Sequence, residues 1–140
     1  MAAVGSKAIG YARYRHWGRI VRLGSPRASN RSVRRQTMKF LIMAEWVIGE
    51  AHDRGIKLTP QQVTAKWERE RHAAFRSAAE FEQYLRSTGQ TRTDSKYRMR
   101  VQMLSERLQP NFSPRDFLTK WRARTRCSPA YFVSECGSRL

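Results

Sequence analysis

The sequence is short of the residues that most enzyme chemistry needs. Its 140 residues include two Cys and three His. Two Cys exclude a disulfide-dense scaffold and a cysteine-rich zinc cluster. The three His (His16, His52 and His72) have no Ser or Cys nucleophile motif to accompany them, so acyl-transfer chemistry has no visible machinery. A glycine-rich phosphate loop is absent. Two carboxylate pairs occur, Glu68 with Glu70 and Glu80 with Glu82, but a spacing of two residues splays each pair apart on a helix. They read as surface charges. No apolar run approaches the ~20 residues of a bilayer span. The longest, Phe40 to Ala44, has five residues. Met1 to Tyr11 has no apolar core of a secretory signal. The expectation is a non-enzyme that needs no metal and no cofactor.

Acidic residues are scarce as well. Asp plus Glu number 11 against 28 Lys plus Arg, for a net charge of +17, and the first acid is Glu45. Residues 1–44 carry ten basic and no acidic side chains, and residues 45–140 carry 18 basic and 11 acidic. Of the 28 bases, 22 are Arg, which suits planar contacts with phosphate or carboxylate. A GC-rich coding bias accounts for the arginine equally well. A charge of this size attracts polyanions, nucleic acid first and anionic membrane second. The stretch from Arg13 to Arg35 is studded with Gly18, Gly24, Ser25, Pro26, Ser29, Asn30 and Ser32, and reads as a solvated linker. Its arginines alternate with Tyr11, Tyr14 and Trp17, a mixture that neutralises phosphates and stacks bases. No zinc-finger spacing or recognition-helix unit goes with it, so charge alone supports only non-specific binding.

What the chain has in quantity is helix punctuation and apolar stripes. Four Trp, five Tyr and six Phe exclude a disordered basic tail. Ser32 is placed to cap a helix with apolar residues at Val33, Phe40, Leu41, Ala44, Val47, Ile48 and Ala51, and Gly55 stops it. Ile42, Met43 and Trp46 widen that stripe, as in a helix central to its domain. Thr59-Pro60-Gln61-Gln62 opens the next helix, with Val63, Trp67 and Ala74 inside. Ser77-Ala78-Ala79-Glu80 opens a short one carrying Phe81, Tyr84 and Leu85, ended by Gly89. Thr91 and Asp94 open another, with Tyr97, Val101, Leu104 and Leu108 along one face and Pro110 after it. Ser113-Pro114 starts a last helix with Phe117, Leu118 and Trp121 inside, followed by an irregular tail. Only Ala2 to Ile9 hints at a strand. The expected fold is all-α: one small multi-helix domain over 1–140, with a basic segment over 1–31, a helical core over 32–108 and a C-terminal helix and Cys-containing tail over 109–140.

Several blocks together are similar to a known family. The run from Phe40 to Ala51 followed by Gly55-Ile56-Lys57-Leu58-Thr59 resembles the N-terminal domain of SurA-like and PrsA-like exported foldases. So does the run Glu80-Phe81-Glu82-Gln83-Tyr84-Leu85 followed by Thr88-Gly89-Gln90-Thr91 and Asp94. Ala3-Val4-Gly5 with Ile9, Tyr14 and Trp17 resembles the family's opening strand and first helix. Phe117, the run Lys120 to Thr125, Cys127, Tyr131 and Cys136 resemble its final helix and tail. The resemblance implies a fold of the SurA and trigger-factor peptide-binding type that shields apolar segments of unfolded exported proteins, outside the cytoplasm in the cell envelope or secreted. Larger members insert a parvulin-type prolyl isomerase domain before the last helix. Here only five residues separate Leu108 from Pro114, and no His follows position 72, so that domain is missing. Gly10 also departs from the family's usual Ser or Thr cap, the Arg-rich stretch after Trp17 has no counterpart, and no signal or lipid anchor is seen. A cytoplasmic setting therefore stays open.

Candidate site residues follow from both lines. Met38, Ile42, Met43, Met99 and Met103, with Trp46 and Tyr84, combine adaptable and aromatic apolar surface, which a peptide-binding groove needs. Their alternative is plain core or incidental surface. Cys127 and Cys136, with eight residues between them, are either a disulfide or two free thiols. A bridge closing that loop stabilises by roughly 2.7 kcal/mol in the chain-entropy model. The expected function is chaperone-like binding of unfolded polypeptide clients. The alternative is a basic nucleic-acid-binding protein using Arg13 to Arg35.

Overall fold

A computed structural model describes residues 2–4, 7–108 and 125–127. The chain is mostly helical, a small all-α domain with a short sheet beside it. Strands β1 (Ala2–Val4) and β2 (Lys7–Ala8) precede helices α1 (Tyr11–Gly24), α2 (Asn30–Asp53), α3 (Pro60–Ala74), α4 (Ala78–Thr88) and α5 (Arg92–Leu108), and strand β3 (Thr125–Cys127) comes last. The sheet has the order β2-β1-β3 with both pairings antiparallel.

The Arg-rich stretch is not a linker. Tyr14, Trp17, Ile20 and Val21 form an apolar stripe along α1, and Trp17 and Ile20 are buried against α2. Scattered Gly and Ser and the surplus of Arg hide that stripe in the sequence. Arg15 and Arg19 are exposed, while Arg13 and Arg22 turn to partners on neighbouring elements. The true gap between α1 and α2 spans only Ser25 to Ser29. The boundary expected near residue 31 therefore falls inside a continuous packed unit. Helix α2 also begins earlier than expected. Ser29, not Ser32, is the cap, its hydroxyl accepting from the Ser32 amide at 3.2 Å, and the Ser32 hydroxyl instead accepts from Gln36.

The other helix ends follow their local chemistry. Gly55 and Gly89 sit at φ +67° and +65°, the left-handed conformation that lets a helix stop without a Cβ clash. Thr59 and Gln62 form a reciprocal box at the start of α3, with both bonds made. Thr91 and Asp94 do the same at α5. The expected box at Ser77 is only half formed. Its hydroxyl accepts from the Glu80 amide, but the Glu80 carboxylate takes the Arg76 amide one residue earlier.

The core has two centres. The larger joins α1, α2, α5 and β1 through Ile9, Trp17, Leu41, Trp46, Val47, Val101, Leu104 and Leu108. The smaller joins α3, α4 and α5 through Val63, Trp67, Phe81, Leu85, Met99 and Met103. Ala74, expected inside, is exposed at the fraying end of α3. The tail, expected to be irregular, contributes β3 to the sheet. The expected last helix, with Phe117, Leu118 and Trp121, lies outside the described residues.

Candidate peptide-binding cleft

Helices α1, α2, α4 and α5 leave an open cleft of about 330 Å³ between them. Its floor comes from Trp17 and Ile20 of α1 and Phe40 of α2. Val21, Gly24, Ser25, Gln36, Tyr84, Thr88, Gln90 and Arg98 complete the lining. The floor is aromatic: the Trp17 and Phe40 rings lie 4.5 Å apart at 51°, and Tyr97 packs against both. Its sides are polar but carry no carboxylate. Tyr84 keeps 40% of its surface in solvent although it lines the cleft. Leu23, 50% exposed and outside the lining, lies against Gly89, next to the lining residues Thr88 and Gln90.

The floor is fixed from behind by two polar clasps. Arg13 of α1 donates to the buried Glu45 carboxylate of α2 and to the Tyr97 hydroxyl of α5, and its guanidinium lies 5.2 Å from the Tyr97 ring centre. Burial pushes the Tyr97 phenol above its ordinary value against the opposing pull of Arg13. His16 Nε2 meets Asp94 Oδ1 at 2.8 Å. Asp94 Oδ2 also accepts from the Thr91 amide and hydroxyl, each at 2.8 Å. Burial alone would raise the Asp94 carboxyl, but the bonds from Thr91 and His16 outweigh it and hold the group below its usual value. Trp17, next to His16 in the chain, is thereby clamped between α2 and α5.

The expected site residues divide. Tyr84 lines the cleft. Trp46 and Ile42 are buried in the larger core, and Met38 packs against it. Met99 and Met103 fill the smaller core under Trp67. Met43 is 41% exposed on α2 but is not part of the cleft lining. The structure thus does not gather these seven residues into one groove. Trp17, Phe40 and Arg98 were missed because their helix phases relative to one another are set by packing. Trp17, expected either to stack bases or to belong to a first helix, is buried in α1. Side-chain placement of Cys127 and Cys136 lies outside the described residues.

The basic surface is partly engaged. Besides Arg13, Arg22 donates to the Ala28 carbonyl and the Asn30 side chain, closing the turn between α1 and α2. Arg15, Arg19, Arg27, Arg31, Arg34 and Arg35 are exposed. The expected splaying of the carboxylate pairs is seen: Glu68 pairs with Arg71, Glu70 with Lys66, and Glu82 with Arg92. Among the described residues, no group of three or more His, Cys, Asp or Glu is placed to hold a metal ion. No helix among them is long and apolar enough to cross a membrane. No family model, curated protein or solved structure matches the chain.

Proposed function

We propose that this domain holds apolar segments of unfolded polypeptides in the cleft between α1, α2, α4 and α5, in the manner of a chaperone and without isomerase chemistry. The observation that carries this reading is a cleft lined by aromatic side chains, in which Phe40 is half-buried and Tyr84 40% exposed while Trp17 is itself buried. A client side chain entering there would remove apolar surface from water on both partners, at roughly 25 cal/mol per Å². Gln36, Thr88 and Gln90 offer amides and hydroxyls that pair with backbone groups of an extended segment, whatever its sequence. The resemblance to exported foldases supports the same reading and would give the clients an exported setting.

The test is suppression of aggregation of a chemically unfolded client, beside binding of DNA and RNA at about 50 and 300 mM salt. The wild-type chain is expected to delay aggregation at near-stoichiometric ratios. Tyr84→Ser is expected to lose most of that protection, and Tyr84→Phe, which keeps the ring packed on Phe75 and Phe81, is expected to retain it. No protection by the wild type, together with steeply salt-dependent nucleic-acid binding, would transfer the function to the basic surface.

A further inference from the structure

The cleft carries a charge feature that simple shielding of apolar segments does not need. Arg98 projects from α5 into its lining, with its guanidinium carbon 5.6 Å from the centre of the Phe40 ring. Its neighbour in the lining is Gln90, whose Oε1 accepts from Arg98 Nη1 at a long 3.5 Å. Among the described residues no carboxylate pairs with Arg98. Other cations close to the aromatic floor have their donors taken. Arg13, which lies over Tyr97, is taken by Glu45, and Arg22 is taken by Ala28 and Asn30. Elsewhere on the chain Arg54, Arg71 and Arg92 have carboxylate partners, whereas Arg15, Arg19, Arg27, Arg31, Arg34 and Arg35 are exposed as Arg98 is, and what distinguishes Arg98 is its place in the cleft over Phe40. Arg98 is thus held by stacking over the floor, with most of its donors unspent.

From this we propose that the cleft selects segments in which a large apolar side chain is followed within one or two residues by Asp or Glu, Arg98 receiving the carboxylate while Trp17 and Phe40 receive the apolar group. The inference rests on the peptide-holding reading of the cleft and specifies its client. Charge complementarity decides the occupant. No acidic group lines the cleft, a lysine-bearing segment would meet Arg98 with like charge, and an uncharged one would leave the guanidinium donors without a strong acceptor. A planar guanidinium stacked on a ring keeps its fork free at the edges, which suits a carboxylate better than an ammonium would. Gly24 and Ser25 in the lining are small, so a segment has room to run across the cleft past Arg98.

The experiment titrates the whole chain with three short peptides at about 150 mM salt, where long-range attraction is screened within about 8 Å. The peptides share one apolar frame of Phe and Leu and differ at a single position: Glu, Gln or Lys. Trp17 in the floor supplies the fluorescence signal. The Glu peptide is expected to bind about fivefold tighter than the Gln peptide, the upper end for an exposed ion pair. Arg98→Gln should abolish that ratio. Arg98→Glu should favour the Lys peptide. Arg69→Gln, which removes an exposed charge on α3 away from the cleft, should keep the ratio. Equal binding of the Glu and Gln peptides by the wild type, or a ratio that survives Arg98→Gln, would overturn the inference and leave the peptide-holding reading intact. Failure of all three peptides to bind would overturn both.

Discussion

Replacing Asp94 by Ala is expected to loosen the hold of α1 on α5 and so unsettle the floor of the cleft. Asp94 joins two tasks: it completes the box that starts α5, and it receives His16 from α1. Loss of a helix-start bond costs about 1 kcal/mol. Loss of the bond from His16, in a pair whose side chains are 35% and 12% exposed, costs about another 1 kcal/mol. Thr91 is exposed and the His16 ring reaches water, so neither orphaned donor bears the full penalty of a buried group. The expected loss for Asp94→Ala is therefore about 2 kcal/mol, or roughly 6–10 °C in Tm for a chain of this length. Asp94→Asn retains an oxygen for the Thr91 amide and turns an amide toward the imidazole, and is expected to cost about half as much. Urea denaturation at several pH values is the assay. The Asp94 carboxyl titrates below its unfolded value of 3.8, so its extra stabilisation is complete above about pH 5 and disappears as pH falls through the folded value. Asn does not titrate, so the gap between wild type and Asp94→Asn should narrow between about pH 5 and 3. A loss under about 0.5 kcal/mol for Asp94→Ala at pH 7, or a gap to Asn that stays constant down to pH 3, would refute the reasoning.

Two further outcomes concern helix ends. Gly89→Ala places a Cβ at φ +65° and 2.5 Å from Leu23 Cδ1, so it is expected to destabilise by about 1–2 kcal/mol in thermal or urea melts. Adding Leu23→Ala should recover the steric share of that loss and leave the backbone share. Thr59→Ala removes half of the box at α3 and is expected to cost about 1 kcal/mol, seen as a lower urea midpoint with an unchanged slope.

Much of the helical frame was legible because it is written in local chemistry. A Thr-Pro pair with Gln three residues on, a Thr with Asp at the same spacing, and Gly where a helix must stop act within one turn of chain, and their physics does not wait for tertiary contacts. The stripe Val101, Leu104 and Leu108 was equally plain, since only a helix brings those spacings to one face. The misreading of Arg13 to Arg35 has the opposite origin. Counted by composition, that stretch is polar and broken by small residues. Its helicity comes from burying Trp17 and Ile20 against α2, a gain that exists only once α2 is in place. The start of α2 shows the same limit on a small scale. Ser29 and Ser32 are both competent caps, and the turn that Arg22 ties to Ala28 and Asn30 favours the earlier one.

The sequence by itself determined that the chain is all-α, where most helices begin and end, and that its charge is concentrated at the front. Local hydrogen bonding and apolar periodicity suffice for that. Which apolar groups become core and which become surface was decided by tertiary packing. Met99, Met103 and Trp46 vanish into the interior, while Tyr84 stays in water beside a floor built from α1 and α2. The cleft is the gap left where four helices meet at angles fixed by all their side chains together. Arg98 stands over Phe40 because α2 and α5 pack with one particular rotation, and no spacing within either helix encodes it.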